Sequence, residues 1–490
     1  MRITNGMITN NTLRNVNRSK TNLADAENQM GTEKKITRPS DDPIVAIRAL
    51  TLRSSLAEID MYLNNNIPEA ESWLKVTEGA LDNIDGALCD MYDYCTQGSS
   101  DQFTEKDRSA IIEVLAKFKD AIYGETNTDY AGRFCFTGYR TDSSFTFLDG
   151  TEAAGKKYSI TQTFSGADIS SMQVIKNPVE TDMIQTIHNS DAPEGVTINR
   201  IRLAYSGCDG TGMSAVSVDG TDYTPQAVTS EEFQTLVNNG TFANSAGKMY
   251  YIYDTGEIAM SDDVYTTIKN AEEITFTYDK TGFAKDDLRP EMYFNCVDKT
   301  DAANPINYTQ TAGGQKISYA VNFGQMLQVN TLGCETVSYN IGRDIDDLCN
   351  AISAVEDVEK KISDLEDMLS NPVYAGRTDE IESMIEAAGR EYDYVLENMK
   401  KLFSKEMGYV KEYQQTVNLQ IADLGARESR LTLTKSRLTD QYTTFDELRS
   451  SNEDAELEET IVKRSEAEML YQASLKAASS VVQQSLLDYI

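Results

Sequence analysis

The sequence has very little histidine: His188 is the only one in 490 residues. Metal sites need several ligands close together, and the seven cysteines form no CxxC pair. These counts argue against a metal centre or a disulfide framework, so we expect reduced, mostly buried thiols and no cofactor. No P-loop, GxSxG, HExxH or dinucleotide-binding motif is present, and we therefore expect no enzyme.

Basic residues are also scarce, with 45 Lys and Arg against 78 Asp and Glu and a formal net charge of −33. Nucleic acids and anionic membranes bind basic surfaces, so neither is an expected partner. No stretch approaches 18 consecutive apolar residues, and we expect no membrane insertion. Residues 1–20 contain four basic and no acidic residues, without the apolar core of a cleaved secretory signal.

The clearest local motif is the turn TRPSDDP at residues 37–43. Its predicted turn and cap residues are Pro39, Ser40, Asp41, Asp42 and Pro43. Asp42 can cap a helix whose first residue is Pro43, where the missing N–H of proline has no cost.

A regular apolar stripe follows this turn. Its members recur at spacings of three and four, which indicates a long helix over residues 44–96. They are Leu56, Ile59, Leu63, Ile67, Ala70, Leu74, Thr77, Leu81, Ile84, Leu88, Met91 and Cys95. The step from Leu63 to Ile67 breaks the alternation, and Pro68 removes a backbone donor beside it. We therefore predict a kink or short break at this point.

Further along, residues 104–122 read as a second helix and 130–141 as a strand and turn. Residues 145–340 lose the helical period and become rich in Gly, Thr and Tyr. Hairpins are predicted at Asp149-Gly150, Asp219-Gly220 and Asp254-Thr255-Gly256, with a short helix at 231–238.

The helical pattern returns near Asp344 and persists to the end of the chain. We predict helices over 344–371, 378–449 and 455–490, with a break at 450–454. Residues 477–487 carry no charge, which is typical of a helix that packs on several sides.

Together these patterns predict a mainly α fold with a β-rich insertion. The N- and C-terminal segments form a long antiparallel coiled-coil or bundle rod, and a β domain lies at the centre of the sequence. The predicted parts are 1–35 with 455–490 as a terminal assembly domain, 36–145 with 341–454 as a helical rod, and 146–340 as one or two β-rich subdomains.

Both ends of the chain resemble the bacterial flagellin family. At the N-terminus the resemblance rests on MRITNGM (1–7), LRNVNRS (13–19), KKITRPSDDPIVAIRALTLRSSL (34–56), NNIPEAESWLKVTEGAL (65–81) and YAGRFCFTGYRTD (130–142). At the C-terminus it rests on LGARESRLTLTKSRL (424–438), SSNEDAELEETI (450–461) and YQASLKAASSVVQQSLLDYI (471–490).

The resemblance implies an extracellular structural subunit of the flagellum, exported by the type III route with an uncleaved signal. It implies termini that fold on assembly and a β-rich middle that projects outward. A subunit at the junction of hook and filament is the favoured role. Its partners would be copies of itself, the preceding hook-associated protein, the flagellin filament and a FlgN-type export chaperone. The alternatives are a filament subunit, or a flagellar protein with an added adhesin function in the central domain.

The terminal helices are predicted to lie too far along the rod to reach its main core. Their apolar side chains should therefore contact other subunits rather than their own chain. The predicted assembly residues are Ile3, Met7, Leu13, Val16, Leu470, Leu475, Val481, Leu486 and Leu487.

Overall fold

The structure is a computed structural model that describes residues 5–100, 105–181, 192–243, 245, 247–310 and 314–487. Within these ranges, side chains are described except at residues 5, 105–107 and 481–487. The predicted assembly residue Ile3 and the single histidine, His188, lie outside the described residues.

Long helices lie at both ends of the sequence and short ones in the middle. They are α1 (Asn5–Thr32), α2 (Pro43–Met61), a π-helical turn (Tyr62–Asn66), α3 (Ile67–Gly98), α4 (Glu105–Glu125), α5 (Gly150–Gly155), α6 (Ser230–Asn238), α7 (Asp262–Ile268), α8 (Pro290–Tyr293), α9 (Gly333–Thr336), α10 (Asn340–Ser370), α11 (Thr378–Glu453) and α12 (Leu457–Leu487). Single 3₁₀ turns lie at Gly166–Asp168 and Pro372–Tyr374.

The strands are confined to the middle of the sequence. They are β1 (Asp129–Tyr130), β2 (Arg133–Phe134), β3 (Lys157–Phe164), β4 (Ser170–Lys176), β5 (Glu194–Arg202), β6 (Val216–Val218), β7 (Thr221–Tyr223), β8 (Gln226–Val228), β9 (Met249–Ile252), β10 (Glu257–Met260), β11 (Ile274–Thr281), β12 (Asn295–Asp298), β13 (Ile306–Tyr308), β14 (Ser318–Asn322) and β15 (Gln325–Gln328).

Backbone contacts divide the chain into two compact units. Unit 1 comprises Met1–Glu71, Tyr319–Leu327 and Ser429–Ile490, and unit 2 comprises Ser72–Ser318 and Gln328–Glu428. The order of mainly helical ends around a β-rich middle matches the predicted fold class at this coarse level. The finer description, a coiled-coil rod with three sequence-defined parts, remains a prediction.

The apolar stripe of the first long helix is buried as its spacing predicts. From Ile67 to Cys95 every predicted member is at most 2% exposed. In unit 2, α3 lies antiparallel to α11, since Asn418 Nδ2 donates to Asp85 Oδ1 (3.1 Å) and Gln414 Nε2 to Cys89 Sγ (3.0 Å). The period of the pattern therefore identified the buried face of α3 correctly.

The irregularity near Pro68 is a π-helical turn rather than a break. The amide of Ile67 bonds to the carbonyl of Tyr62, five residues earlier. Tyr62 is buried in place of the predicted Leu63, which is only half-buried. The extra residue in the pattern thus enters one wider turn, and the buried stripe resumes in register at Ile67.

The helix α11 buries residues at intervals of seven over half its length. These residues are Phe403, Val410, Val417, Leu424, Leu431 and Leu438, each at most 2% exposed. At 1.5 Å per residue the 76 residues of this helix extend over roughly 110 Å. The predicted end at residue 449 was too early, because the helix continues to Glu453.

Two larger sheets form the β-rich part of the described chain in unit 2. Their strand orders are β4-β5-β10-β9-β8 and β13-β12-β3-β11-β6-β7. The strand β9 shows how they pack, because successive side chains point to opposite faces. Met249 and Tyr251 join an apolar core shared by both sheets, whereas Tyr250 and Ile252 pack in a second core with α6.

Two of the three predicted hairpins are present. Strands β6 and β7 pair around Asp219 and Gly220, both of which have positive φ, and β9 pairs with β10 around Gly256. The hairpin predicted at Asp149-Gly150 was wrong. Asp149 instead caps α5 by accepting a hydrogen bond from the Thr151 amide (2.8 Å), a role that the same residue type favours as strongly as a turn.

Candidate assembly surface

The helices α1 and α12 of unit 1 pack along each other in antiparallel fashion. Ser19 Oγ lies 3.1 Å from Ser474 Oγ, and Glu27 Oε1 lies 3.9 Å from Arg464 Nε. Ser19 and Ser474 are small, and small residues allow two helices to approach closely. Only a narrow strip of each helix is covered by the other.

The predicted assembly residues lie mostly outside this covered strip. Met7 is 60% exposed, Leu13 53%, Leu470 61% and Leu475 44%, whereas Val16 is half-buried. The side chains of Val481, Leu486 and Leu487 lie outside the described residues, although α12 continues to Leu487. Four of the predicted residues are thus apolar and largely exposed on the helix pair.

Sequence reasoning missed several other exposed apolar residues on the same two helices. They are Ile8 on α1 and Leu457, Ile461, Val462 and Met469 on α12. Apolar residues surround α12 on several sides, so no single stripe marks them in the sequence. The lack of charge in residues 477–487 is the one signal of this kind that the sequence offered. With Met7, Leu13, Leu470 and Leu475, nine large apolar side chains in the described parts of the two helices are exposed.

A short backbone pairing joins the end of α1 to the start of α12. The amide of Lys35 donates to the carbonyl of Glu453 (2.7 Å), and the amide of Ala455 donates to the carbonyl of Glu33 (2.9 Å). Lys34 and Asp454 stand opposite each other in this bridge and form an ion pair. The bridge therefore fixes where the helix pair begins.

Charged side chains reinforce the bridge. Arg53 of α2 holds the buried carboxylate of Glu453 with two hydrogen bonds, one of them from Nε to Oε1 at 2.7 Å. The hydrogen bond from Lys34 lowers the pKa of Asp454. Bidentate arginine–carboxylate pairs have a fixed geometry, so Arg53 sets the orientation of α2 against the bridge.

The turn that precedes α2 is held by two aspartates. Asp41 Oδ2 accepts the amide of Arg38 (2.9 Å) and that of Thr37 (3.3 Å). Asp42 Oδ1 accepts the amides of Ile44 (2.9 Å) and Val45 (3.2 Å), and Pro43 is the first residue of the helix. This is the cap geometry that the Asp-Asp-Pro order favours.

The described residues contain no group of three or more His, Cys, Asp or Glu side chains that could hold a metal ion. Across the same residues, no helix is both long and apolar enough to cross a membrane. The seven cysteines are unpaired, and Cys95, Cys135, Cys208 and Cys296 are buried.

Comparison with known proteins gives matches to flagellar proteins. Residues 3–141 match the family described as the bacterial flagellin N-terminal helical region. The chain is 27% identical over 169 residues to flagellar hook-associated protein 3 of Salmonella typhimurium, a match covering 34% of this chain and 53% of that protein. It is 28% identical over 128 residues to a flagellin of Clostridium tyrobutyricum, which covers 26% and 34% respectively.

Among solved structures, the flagellar junction protein FlgL of Legionella pneumophila aligns with 84% of this chain and 100% of its own. Its sequence identity is 10% and its TM-score 0.31.

The sequence matches show that residues 3–141 of the chain are similar to the bacterial flagellin N-terminal helical region. The chain is also similar to flagellar hook-associated protein 3, and the matched segment spans about half the length of that relative.

Proposed function

We propose that this chain is a structural subunit of the bacterial flagellum that forms the junction layer between hook and filament. The observation that carries the proposal is the pair α1 and α12, which leaves large apolar side chains exposed. The similarity of the chain to flagellar hook-associated protein 3 supports the junction role over other roles in the flagellum.

The exposed side chains are sufficient to drive association only if several of them are buried together. Met7, Leu13, Leu470 and Leu475 are each about half exposed, so burying the rest of each side chain contributes about 1 kcal/mol, or about 4 kcal/mol in all. Association costs an estimated 4–15 kcal/mol in lost motion. One contact of this size is therefore marginal, and stable assembly requires each subunit to touch more than one neighbour.

Charge separates the free subunits without opposing the proposed contact. The whole chain has a net charge of −33, which repels other copies at long range. The helices α1 and α12 together hold six basic and six acidic residues, so the pair has no net formal charge. The surface proposed to pack thus adds no net charge repulsion of its own.

The proposed partners are further copies of the chain, the preceding hook-associated protein and the flagellin filament. We also propose export through the flagellar type III channel with an uncleaved signal, and a FlgN-type chaperone that holds the C-terminal helix before export. The resemblance of both chain ends to the family supports these steps.

Binding of the purified chain to isolated hooks tests the proposal. Negative-stain electron microscopy should show a distinct cap on hooks incubated with the full chain. A variant without residues 1–30 should remain folded by circular dichroism but leave the hooks bare, because it lacks most of α1. Caps formed equally well by the truncated chain would contradict the assembly role of this helix.

The match to a Clostridium flagellin favours a second candidate, the filament subunit itself. The two roles predict different growth of the purified chain when no other flagellar protein is present. A filament subunit forms long filaments when purified chain is seeded on fragments of its own polymer, whereas a junction subunit stops after a short layer.

A further inference from the structure

The largely exposed methionines of the described chain are concentrated in unit 1. Among the residues that the structure describes, they are Met7 (60% exposed), Met61 (42%), Met326 (57%) and Met469 (70%). All four belong to unit 1, although unit 2 contains most of the chain. Mild oxidants attack the thioether sulfur of methionine, so the accessible thioethers lie in the unit that also holds the proposed assembly surface.

The methionines of unit 2 are shielded in two ways. Two of them are only half-buried, but their sulfurs accept hydrogen bonds: Met407 Sδ from Thr96 Oγ1 (3.3 Å) and Met172 Sδ from Arg200 Nη1 (3.9 Å). Such bonds engage the sulfur lone pairs with which a thioether attacks an oxidant. Others are at most 2% exposed, namely Met91, Met249, Met260, Met384 and Met399.

Two of the four exposed methionines lie on the helix pair, Met7 on α1 and Met469 on α12. Counted from the contact between Ser19 and Ser474, they lie roughly 25 Å apart along the pair at 1.5 Å per residue. Each is flanked by another exposed apolar residue, Ile8 beside Met7 and Leu470 beside Met469. The two sulfurs therefore belong to separate parts of the proposed assembly surface.

We propose that Met7 and Met469 are oxidation sites of the free subunit, and that their conversion to methionine sulfoxide by hydrogen peroxide prevents assembly. This inference rests on the proposed function, because it takes the helix pair as the assembly surface. In the reaction, a lone pair of Sδ attacks one peroxide oxygen, so that an S–O bond forms and the O–O bond breaks. The departing hydroxide takes the proton of the transferred hydroxyl group and leaves as water. Sulfur loses two electrons, and the peroxide gains them.

The sulfoxide changes association more than it changes folding. Oxidation turns an apolar side chain into a polar one. In the free subunit the new S=O group stays hydrated, because both methionines are largely exposed. Burying it against another subunit removes that water, and a buried polar group without a hydrogen bond is costly. Each sulfoxide should therefore weaken binding to hooks about tenfold and leave the melting temperature of the monomer nearly unchanged.

Treatment of the full chain with hydrogen peroxide, followed by peptide mass spectrometry and by binding to isolated hooks, tests the inference. Met7 and Met469 should gain one oxygen faster than Met172 and Met407. Hook binding should then fall about tenfold or more. Methionine sulfoxide reductases A and B, supplied with dithiothreitol, should restore it, because each enzyme reduces one sulfoxide epimer.

Dithiothreitol alone separates this effect from cysteine oxidation, because it reduces disulfides and sulfenic acids but not sulfoxides. The thiol to consider is Cys89, which is exposed on α3. Partial burial, and then the nearby charge of Asp85, raise the pKa of this thiol. It is therefore mostly protonated at neutral pH and a poor nucleophile. Recovery of hook binding with dithiothreitol alone would assign the loss to cysteine and overturn the proposal.

Paired substitutions identify the responsible sulfurs. The double variant Met7→Leu, Met469→Leu keeps apolar side chains of similar volume and should bind hooks equally well before and after peroxide. The double variant Met61→Leu, Met326→Leu is the matched control. It removes two exposed sulfurs of unit 1 that lie on α2 and β15, and it should remain as sensitive to peroxide as the wild-type chain.

Equal hook binding by oxidised and untreated wild-type chain would overturn the proposal, as would loss of binding in the oxidised Met7→Leu, Met469→Leu variant. Oxidation of Met7 and Met469 no faster than that of Met172 and Met407 would also overturn it. Untreated chain that does not bind hooks would instead refute the junction role and, with it, the effect on assembly. The peptide map tests the two oxidation sites in either case.

Discussion

At the scale of single residues, the most unusual group is the carboxyl of Glu406. The side chain is 2% exposed, and its Oε2 has no hydrogen-bond partner among the described residues. Burial, and then the nearby charge of Asp344, raise its pKa to about 9. The neighbouring cation Arg202 is already engaged with Asp344 and Asp347, so Glu406 is protonated at neutral pH.

This protonation predicts a pH-dependent stability. The folded chain keeps a proton that the unfolded chain releases above pH 4.5, so folding stability should fall as pH rises from 4.5 towards 9. The expected loss is on the order of 1 kcal/mol per pH unit within this window. Glu406→Gln should flatten the dependence, which urea denaturation at pH 6 and pH 8.5 measures. Glu412→Gln, an exposed carboxylate on the same helix, is the control and should keep the wild-type slope.

The cap residue Asp42 gives a second prediction at this scale. Asp42→Ala removes two hydrogen bonds to the first turn of α2 and should lower the free energy of unfolding by about 1 kcal/mol. Thermal and urea denaturation measure this loss. Ser40→Ala changes an exposed hydroxyl in the same turn and should have little effect. Equal effects of the two substitutions would show that the cap is not what stabilises this turn.

At the scale of elements, the π-helical turn joins two stretches of regular helix whose buried faces are offset by one residue. The β14–β15 hairpin packs on it within unit 1: the rings of Tyr62 and Phe323 meet edge to face at 5.6 Å, and Asn66 Nδ2 donates to the carbonyl of Ala320 (2.8 Å). The sequence predicted where the irregularity lies, because both the spacing and Pro68 marked it. It did not predict that Tyr62 would replace Leu63, since the width of the turn has no signal in the spacing alone.

Single-residue deletions test this explanation. Removal of Asn65 should convert the π turn to an ordinary helical turn and leave the stripe from Ile67 onwards in register. Removal of Asp82, an equally exposed residue of α3, should rotate every later stripe residue by about 100° out of the core. Each misplaced large side chain costs about 2–5 kcal/mol. Differential scanning calorimetry should therefore show that the Asn65 deletion variant is folded and that the Asp82 deletion variant is severely destabilised. Similar melting temperatures of the two variants would contradict the explanation of the π turn.

The long helix α11 also shows that the sequence pattern did not identify every buried residue. The prediction of a helix over residues 378–449 did not identify Phe403, Val410 and Val417 as core residues, although they are fully or almost fully buried. Polar and charged residues surround them in sequence, so the apolar signal is diluted even though the seven-residue spacing is regular. Long-range sites were out of reach altogether. The hydrogen bond from Arg343 Nη2 to the carbonyl of Thr255 (2.6 Å) joins α10 to the turn before β10, and nothing local in the sequence marks it.

At the scale of the whole molecule, a strongly acidic chain carries a helix pair, α1 and α12, that has no net formal charge and exposes large apolar side chains. The assembly hypothesis rested on two features of the sequence: the apolar side chains of the terminal helices and the resemblance of both chain ends to the flagellin family. The structure adds that Met7, Leu13, Leu470 and Leu475 are exposed on that pair. Whether they contact other subunits stays a prediction.

A charge placed on this surface tests the prediction. Leu470→Glu should leave the melting temperature of the monomer within a few degrees of wild type, because the side chain is already 61% exposed. It should abolish binding to isolated hooks, since burying an unpaired carboxylate is costly. Gln472→Glu adds the same charge two residues along the same helix at a polar exposed site and should be tolerated much better. Hook binding by Leu470→Glu at wild-type levels would remove this residue from the interface.

Deletion of the gene in its native host tests the central claim most directly, with electron microscopy of the cell surface and immunoblotting of the medium for flagellin. The junction role predicts hooks without filaments and flagellin monomers released into the medium, with both defects repaired by the wild-type gene. Cells that still carry normal filaments, or bare hooks with no flagellin in the medium, would contradict it; the second result would instead identify the chain as the filament subunit.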